Sequence, residues 1–560
     1  MLLQIEQGTE WVFWTVIIVY LAFLAVAGIY AKRKTKTLED FMVAGRNIGP
    51  LLLGLSFGVT YFSAVMIVGG GQQSWLWGLG VIWIAAIDVL VGVFFVFLLL
   101  GDRTTKLGSH FESMTVPQML SKRYQDPKLQ TFTSVTILFF ETVYLVSIYI
   151  GLSLLLSVIM PGNPNAYFIA VVLCGAITVI YLNIGGAHGA IFTDAAESII
   201  MLVGVVFIFA FGIAAVGGLG GLITTLGDIE ANDTNPGDAP LWDGALTQFP
   251  GAGGMGVIGY ILVTSFGVWG MPQMISRFYT AQKKRKTLRW GLFIACLWAF
   301  IVAFFAWWNG IIARAYFWEH DMDTYETVAA GAGEAAIPAL MAAVLPWFLV
   351  GLFLAAVTAA SLTTGEKVIM IAASGFSIDV YQAKTGCSDD KALLMTKITT
   401  TIVVVIAVIL AILKPDAVLA LCMFAWSAMA AVILIPYVFG LFWKGGTAKA
   451  AIYSGAVALF GSILWKVLLR GASMWAMVGL DWAAVMGPVA AISIFKFGLF
   501  NLTLGSIHEF IVSQLLALIA FPIISILTKD SKPSDDFLKE IFDVMKGVKK
   551  PASIEPKPGD

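Results

Sequence analysis

Charged residues make up only 12% of the 560-residue chain, against about 25% in a soluble globular protein. That excludes a water-soluble fold with an ordinary solvated surface. Cysteine is scarce too: Cys174, Cys296, Cys387 and Cys422 form no CxxC pair, and none falls in an external loop of the topology derived below. A disulfide framework is therefore not expected. The four histidines (His110, His188, His320 and His508) are scattered without an HxxxH pair, so no metal site of that kind is expected. A net charge of −1 leaves no basic face for nucleic acid. No nucleophile–base pair or metal motif sits in a plausible cavity, which argues against an enzyme.

What is abundant is apolar. Hydrophobic residues reach 59%, with 56 Gly, 39 Phe and 18 Trp. Glycine suits close contact between membrane helices, and Trp suits the lipid–water interface. Hydropathy predicts about thirteen spans, near 11–30, 51–72, 77–100, 131–160, 166–184, 190–216, 253–276, 290–317, 338–365, 394–413, 417–442, 450–469 and 506–527. Each must be helical, because an isolated strand cannot satisfy its backbone in lipid. The run from Trp11 to Tyr30 reads as a true first span, since no small-residue cleavage site precedes the basic cluster Lys32, Arg33, Lys34 and Lys36.

Loop charge sets the orientation. With the N-terminus outside, the inside loops hold Lys32 to Lys36, then Arg103, Lys106, Lys122 and Arg123, then Arg277 and Lys283 to Arg289, then Lys444 and Lys449. The outside loops 217–252 and 318–337 carry acids and no Lys or Arg. With Lys414, Arg470 and Lys496 as isolated exceptions, this is the positive-inside bias, and it puts the C-terminus in the cytoplasm. The apolar stretch 471–505 is assigned outside, because one more span would move the Lys-rich tail to the outer side. Residues 1–528 then form one transporter unit, and 529–560 a polar cytoplasmic tail with a short helix.

Two spans are interrupted. Span 51–72 contains Gly54 and Gly58 and ends in Gly69-Gly70-Gly71; span 253–276 contains Gly267, Gly270 and Pro272. They occupy matching positions in two five-span halves, roughly 51–216 and 253–442. Paired broken helices point to an inverted-repeat transporter, whose unwound carbonyls can bind a cation. Ordinary Gly-rich helix packing is the alternative.

Three segments carry a resemblance. GGAHGAIFTDAAE, Gly185 to Glu197, resembles the GGxxAVxxTDxxQ signature of the sodium/solute symporter family of proline, pantothenate, sugar and sialic acid carriers. GMPQMISRFYTA, Gly270 to Ala281, is similar to that family's GxPHxxxRF stretch. LAAVTAASLTTGEKVIMIAASGFSIDVY, Leu354 to Tyr381, is similar to its AAxxAAxMSTADS segment with a closing DxY. FMVAGRNIGPLLLGLS, Phe41 to Ser56, also resembles the family's loop and second helix. The resemblance spans roughly residues 11 to 469.

It implies an all-α, leucine-transporter-type 5+5 inverted repeat, with one helix before the ten core helices and two after. It implies sodium as the coupling ion and no cofactor. The sodium ligands it implies are the carbonyls of Val59, Phe62 and Ala360 and the hydroxyls of Thr363 and Thr364. Neutral oxygens suit a hard cation that must also be released; hydrogen bonding to the helix backbone is the alternative use of such threonines. Asp194 stands where some members bind a second sodium or gate the inner mouth. Arg277 matches an arginine that reads as structural. Several positions depart from the pattern: Glu197 replaces Gln, Gln273 replaces His, Tyr61 replaces the aspartate of proline carriers, and Val268 replaces their tyrosine.

Asp88 and Glu141 fall inside predicted spans, where a carboxylate costs on the order of 2.5–3.5 kcal/mol. Facing a pocket, they would favour a cationic or zwitterionic solute, or a proton site. Hydrogen bonding between helices is the alternative. Further candidates for solute contact are Thr60, Met66, Gln72, Tyr144, Thr264 and Gln273, with Trp269 as a cap. The resulting reading is a sodium-coupled symporter of the cell's inner membrane, importing a small solute by alternating access. A proline-like amino acid or a short carboxylate is favoured. A proton-coupled symporter of the same fold is the first alternative. A non-transporting membrane sensor is the second, and the short tail argues against it.

Overall fold

A computed structural model describes residues 42–547 except 64, 158–159, 161–162, 234–240, 242, 478 and 498–499, together with Thr15, Ile18, Val19 and Ala22. For residues 180–193, 196, 347, 355–356, 359–360, 363, 495–497 and 500–501 it describes the backbone alone. The predicted first span, 11–30, thus lies outside the described residues apart from those four positions.

The chain is helical almost throughout, as apolar runs in lipid must be. Helix α1 (Pro50–Tyr61) starts on a proline, whose missing N–H falls where a helix has no use for one. It ends at Phe62, which is extended at φ −107°, ψ 114°. Helix resumes as a π-wound turn, Val65–Gly70, and continues as α2 (Gly71–Trp77). Gly78, at φ +67°, turns the chain; a Cβ there would lie 2.3 Å from the Leu246 carbonyl oxygen. Then come α3 (Ile82–Ile87), a π-wound stretch Asp88–Gly101 and α4 (Asp102–His110). Helix α5 (Val116–Tyr124) is capped by Thr115, whose hydroxyl accepts from the Gln118 N–H at 3.2 Å.

Next are α6 (Pro127–Ser157), α7 (Ala166–Ala215) and α8 (Gly218–Asn232). The second broken helix is α9 (Met255–Gly267), a 3-10 turn Val268–Gly270, an extended Met271 and α10 (Pro272–Thr280), with a bend of 44°. Beyond it lie α11 (Arg285–His320), α12 (Met322–Ala330), α13 (Ala336–Val344) and α14 (Trp347–Ser374), which runs into a π-wound segment Gly375–Gln382. The bundle closes with α15 (Asp389–Leu413), α16 (Val418–Phe442), α17 (Ala448–Leu469), α18 (Glu509–Leu527) and the tail helix α19 (Asp535–Lys546). A hairpin, β1 (Ser493–Phe497) and β2 (Phe500–Thr503), paired antiparallel, is the sheet among the described residues.

Burial sorts these helices into centre and rim. In the most apolar window of α16, 94% is buried; in α15 the figure is 39% and in α18 28%. Helix α1 packs on α11 and α7, and α6 on α14 and α16. The rim helices point aliphatics outward: Leu394, Ile398, Ile402, Val405 and Ile409 on α15, and Leu515, Ile519, Ile523 and Ile526 on α18. A soluble helix does the reverse, so these faces fit a hydrocarbon solvent.

The two ends differ in charge. At the basic end, Arg103 donates to the Leu441 carbonyl at 2.7 Å and Arg123 to that of Gly440 at 2.8 Å. The tail helix docks there: Lys106 donates to the Met545 carbonyl at 3.2 Å, and Phe537 stacks on Phe111. At the acidic end, Arg314 pairs with Asp233 at 3.0 Å.

Several expectations shift. Among the described residues, eight helices are long and apolar enough to cross a membrane, or nine with the bent pair, which leaves the count of about thirteen unconfirmed. Two reasons are physical: α1 is short because Phe62 ends it, and residues 166–179 are a short apolar part of a longer helix. The predicted spans 166–184 and 190–216 form the single 50-residue helix α7. Span 338–365 divides at Pro346, giving α13 and α14, because the residue before a proline is driven out of the helical region. The stretch 471–505 holds short helices and the hairpin, with no spanning helix among its described residues.

Gly54 and Gly58 do not break α1; they let it approach α11, since added Cβ atoms would lie 2.8 Å from Gly291 O and 2.3 Å from the Trp298 ring. Gly310 is tighter still: its Cβ would lie 2.1 Å from the Gly71 carbonyl oxygen and 2.6 Å from Ser74 Oγ. Gly310→Leu should therefore cost at least about 1–3 kcal/mol by overpacking. The check is a lowered thermal midpoint of the detergent-purified protein. Gly227→Leu, which meets nothing within 4 Å, is the control and should leave the midpoint unchanged.

Candidate functional site

The two broken helices meet. The Tyr61 hydroxyl, one residue before the first break, donates to the Thr264 carbonyl at 2.6 Å. The Trp269 indole, within the second break, donates to the Val91 carbonyl at 3.0 Å. Asp88 begins the π-wound stretch between them and is buried. Its Oδ1 lies 2.6 Å from the Thr264 hydroxyl and 3.0 Å from that of Ser265. The acid predicted from sequence is thus a polar knot between helices, consistent with what a desolvated carboxylate requires.

A cavity opens beside this knot. It is lined by Tyr61, Phe62, Ser63, Val65, Met66, Asp88, Tyr144, Thr264, Trp307, Leu419, Cys422, Met423 and Trp426. Tyr61 stacks on Trp426 with centroids 5.9 Å apart, and Tyr144 meets the same ring edge-on at 5.9 Å. Four of the predicted solute contacts therefore line one cavity: Met66, Asp88, Tyr144 and Thr264. Five do not. The Thr60 hydroxyl donates back to the Ser56 carbonyl at 2.6 Å. Trp269 is tied to Val91. Gln72, Glu141 and Gln273 are buried outside the lining, with Gln72 Oε1, Gln273 Oε1 and both Glu141 carboxylate oxygens lacking a hydrogen-bond partner among the described residues.

The sequence reading missed Ser63, Trp307, Leu419, Cys422, Met423 and Trp426 as lining residues. Leu419, Cys422, Met423 and Trp426 recur at helical spacing on α16, a helix with no polar signal to mark the face that turns inward.

Between α1 and α14 a second feature forms. The Thr364 hydroxyl donates to the Val59 carbonyl at 3.3 Å. Phe62, extended, releases the last carbonyls of α1 from their usual partners four residues on. Val59, Phe62 and Thr364 are so brought to one place. The side chains of Ala360 and Thr363 lie outside the described set.

Deeper toward the basic end sits a group of buried charges. Asp194 on α7 accepts from the Ser56 hydroxyl through Oδ2 and pairs with the Lys367 ammonium through Oδ1. Arg277 on α10 stands 3.9 Å from Asp194 and donates to Ser56 at 3.0 Å. Glu366 and Glu197 lie within electrostatic reach of the same group. Lys367 and Glu366 were not singled out from sequence. Their signal was available: two adjacent charges within an apolar run that resembles a Ser- and Thr-rich family segment.

Comparison with known proteins follows the same lines. A family model described as the sodium:solute symporter family matches residues 41–458. A sodium/pantothenate symporter of Escherichia coli (strain K12) is 26% identical over 470 residues, covering 81% of this chain and 89% of that protein. A sodium/proline symporter of the same organism is 24% identical over 464 residues, covering 80% and 86%. Among solved structures, a substrate-bound, outward-open Na+-coupled sialic acid symporter superposes with a TM-score of 0.67 at 18% identity, covering 92% of this chain and 98% of that one. The leucine-transporter-type fold is thereby shared.

Asp88→Ala removes the acceptor that Thr264 and Ser265 share in a buried setting. A loss of about 1–3 kcal/mol is expected, seen as a lower unfolding midpoint. Asp88→Asn, which keeps an acceptor oxygen, should retain most of the stability. Equal midpoints for Asp88→Ala and the unmodified protein would show that the carboxylate does not hold these helices.

Proposed function

Since the chain belongs to the sodium:solute symporter family, we propose that it couples inward sodium movement to import of a small zwitterionic solute, an amino acid such as proline in preference to a plain carboxylate. The observation that supports this most directly is the pairing of Val59 and Thr364 at the first helix break. It gathers neutral oxygens between α1 and α14, where a sodium ion would be held by the carbonyls of Val59, Phe62 and Ala360 and the hydroxyls of Thr363 and Thr364.

The solute preference rests on the neighbouring cavity. Asp88 offers a carboxylate to an ammonium group, and Tyr61, Tyr144, Trp307 and Trp426 offer aromatic faces to the same charge. The helix that restarts at Val65 presents its positive end to a carboxylate. A zwitterion satisfies both. The basic end is the cytoplasmic end in this reading, which places the tail helix inside the cell.

Transport proceeds by alternating access, with the two breaks as the points where the bundle bends. Sodium and solute stabilise each other's binding, and they do so reciprocally. One charge moving through about 100 mV releases roughly 2.3 kcal/mol. That sustains about fifty-fold accumulation of a neutral solute, since about 1.4 kcal/mol is tenfold.

The test is uptake into proteoliposomes under an inward sodium gradient, with labelled proline, other amino acids, acetate, pyruvate, pantothenate and glucose. An amino acid should accumulate only with sodium. Thr364→Ala should raise the sodium concentration for half-maximal uptake about tenfold, equivalent to about 1.4 kcal/mol. Accumulation that follows a proton gradient and ignores sodium would refute the coupling; accumulation of acetate alone would refute the solute class.

A further inference from the structure

The buried charges around Asp194 are not used by the cation site at Val59 and Thr364, and they are costly to bury. Asp194, Glu197, Glu366 and Lys367 are all 0% exposed, and Arg277 is 5% exposed. An ion pair at such depth is a poor stabiliser compared with well-packed apolar residues, so its presence calls for another reason. Lys367 lies one helical turn beyond Thr364 on α14, about 4.5 Å along the axis. It also lines a cavity that enters from the basic end beside Thr115, Pro272, Arg277 and Ser374. The pair therefore stands between the proposed sodium position and the basic-end cavity.

A carboxylate and a serine hydroxyl enclosed between α1, α7 and α14 form an oxygen site for one small cation. Here that cation is part of the chain, because the Lys367 ammonium rests on Asp194 Oδ1 while Ser56 holds Oδ2. Arg277 does not take the place. Its guanidinium stands 3.9 Å away and is held by Ser56. A sodium ion at the same carboxylate oxygen would stand directly against the positive charge of the ammonium.

From this geometry we infer that Lys367 is a tethered counter-cation of Asp194, holding the position that a second coupling sodium would otherwise take, so that the chain binds a single exchangeable sodium ion. The inference rests on the sodium-symport reading for the exchangeable ion and deepens it. A tethered charge neutralises the carboxylate through every conformation yet cannot leave with the solute. The sodium:solute ratio is then set by one lysine.

The experiment is equilibrium binding of ²²Na⁺ to the purified full-length protein, counted per chain, and it needs no knowledge of the solute. One ion is expected for the unmodified protein, one for Lys367→Arg, and two for Lys367→Ser, which frees Asp194 and adds a hydroxyl. Two ions in the unmodified protein, or no gain in a folded Lys367→Ser, would overturn the inference. If Lys367→Ser does not fold, the ratio in the unmodified protein decides: one supports the inference and two overturns it. Thr364→Ala separates this from the function proposed above, since it should weaken binding of the ion of the unmodified protein about tenfold. Should the unmodified protein bind none, the sodium reading fails, and the lysine is judged by whether Lys367→Ser gains an ion.

Discussion

In a hydrocarbon solvent an unpaired backbone group costs several kcal/mol, so a helix can break at membrane depth only where something else satisfies it. This chain breaks two helices at depth, after Tyr61 and after Gly267, and a side chain at each break binds a neighbouring backbone carbonyl. Tyr61 reaches across to the Thr264 carbonyl, and Trp269 to that of Val91. Asp88 collects the Thr264 and Ser265 hydroxyls at the crossing. The cavity and the candidate cation position both lie beside these breaks, because that is where oxygen atoms are released from helical pairing.

The glycines serve the same constraint from outside. Gly54 and Gly58 bring α1 against α11, and Gly310 brings α11 against the segment after the break. The broken helix is thus clasped on both sides of its interruption by one long, continuous neighbour. The interruption is local, and the supporting helix α11 runs unbroken from Arg285 to His320.

The site divides its charges by depth. At the break the proposed ligands are neutral oxygens, which bind a cation weakly enough to release it. One turn further along α14 the groups are ionisable, with Lys367 and Arg277 set among Asp194, Glu197 and Glu366. The first arrangement suits an ion that travels and the second a charge that stays.

Much of this was legible in the sequence. Membrane class, helical character and the existence of two interrupted helices follow from apolar run length, the scarcity of charge, and Gly267, Gly270 and Pro272, because lipid leaves few backbone solutions. The family resemblance implied that Val59, Phe62 and Thr364 are neighbours, and Thr364 does reach Val59. Tertiary structure decided the rest. The first interruption falls at Phe62, away from the glycines, where the Phe62 ring packs against Trp298 of α11. The pocket face of α16 was hidden because a wholly apolar helix carries no periodic signal of which side turns inward. The seating of Lys367 on Asp194 was hidden as well. The two residues are 173 positions apart, and only the packing of α7 against α14 brings a carboxylate and an ammonium to the same buried point.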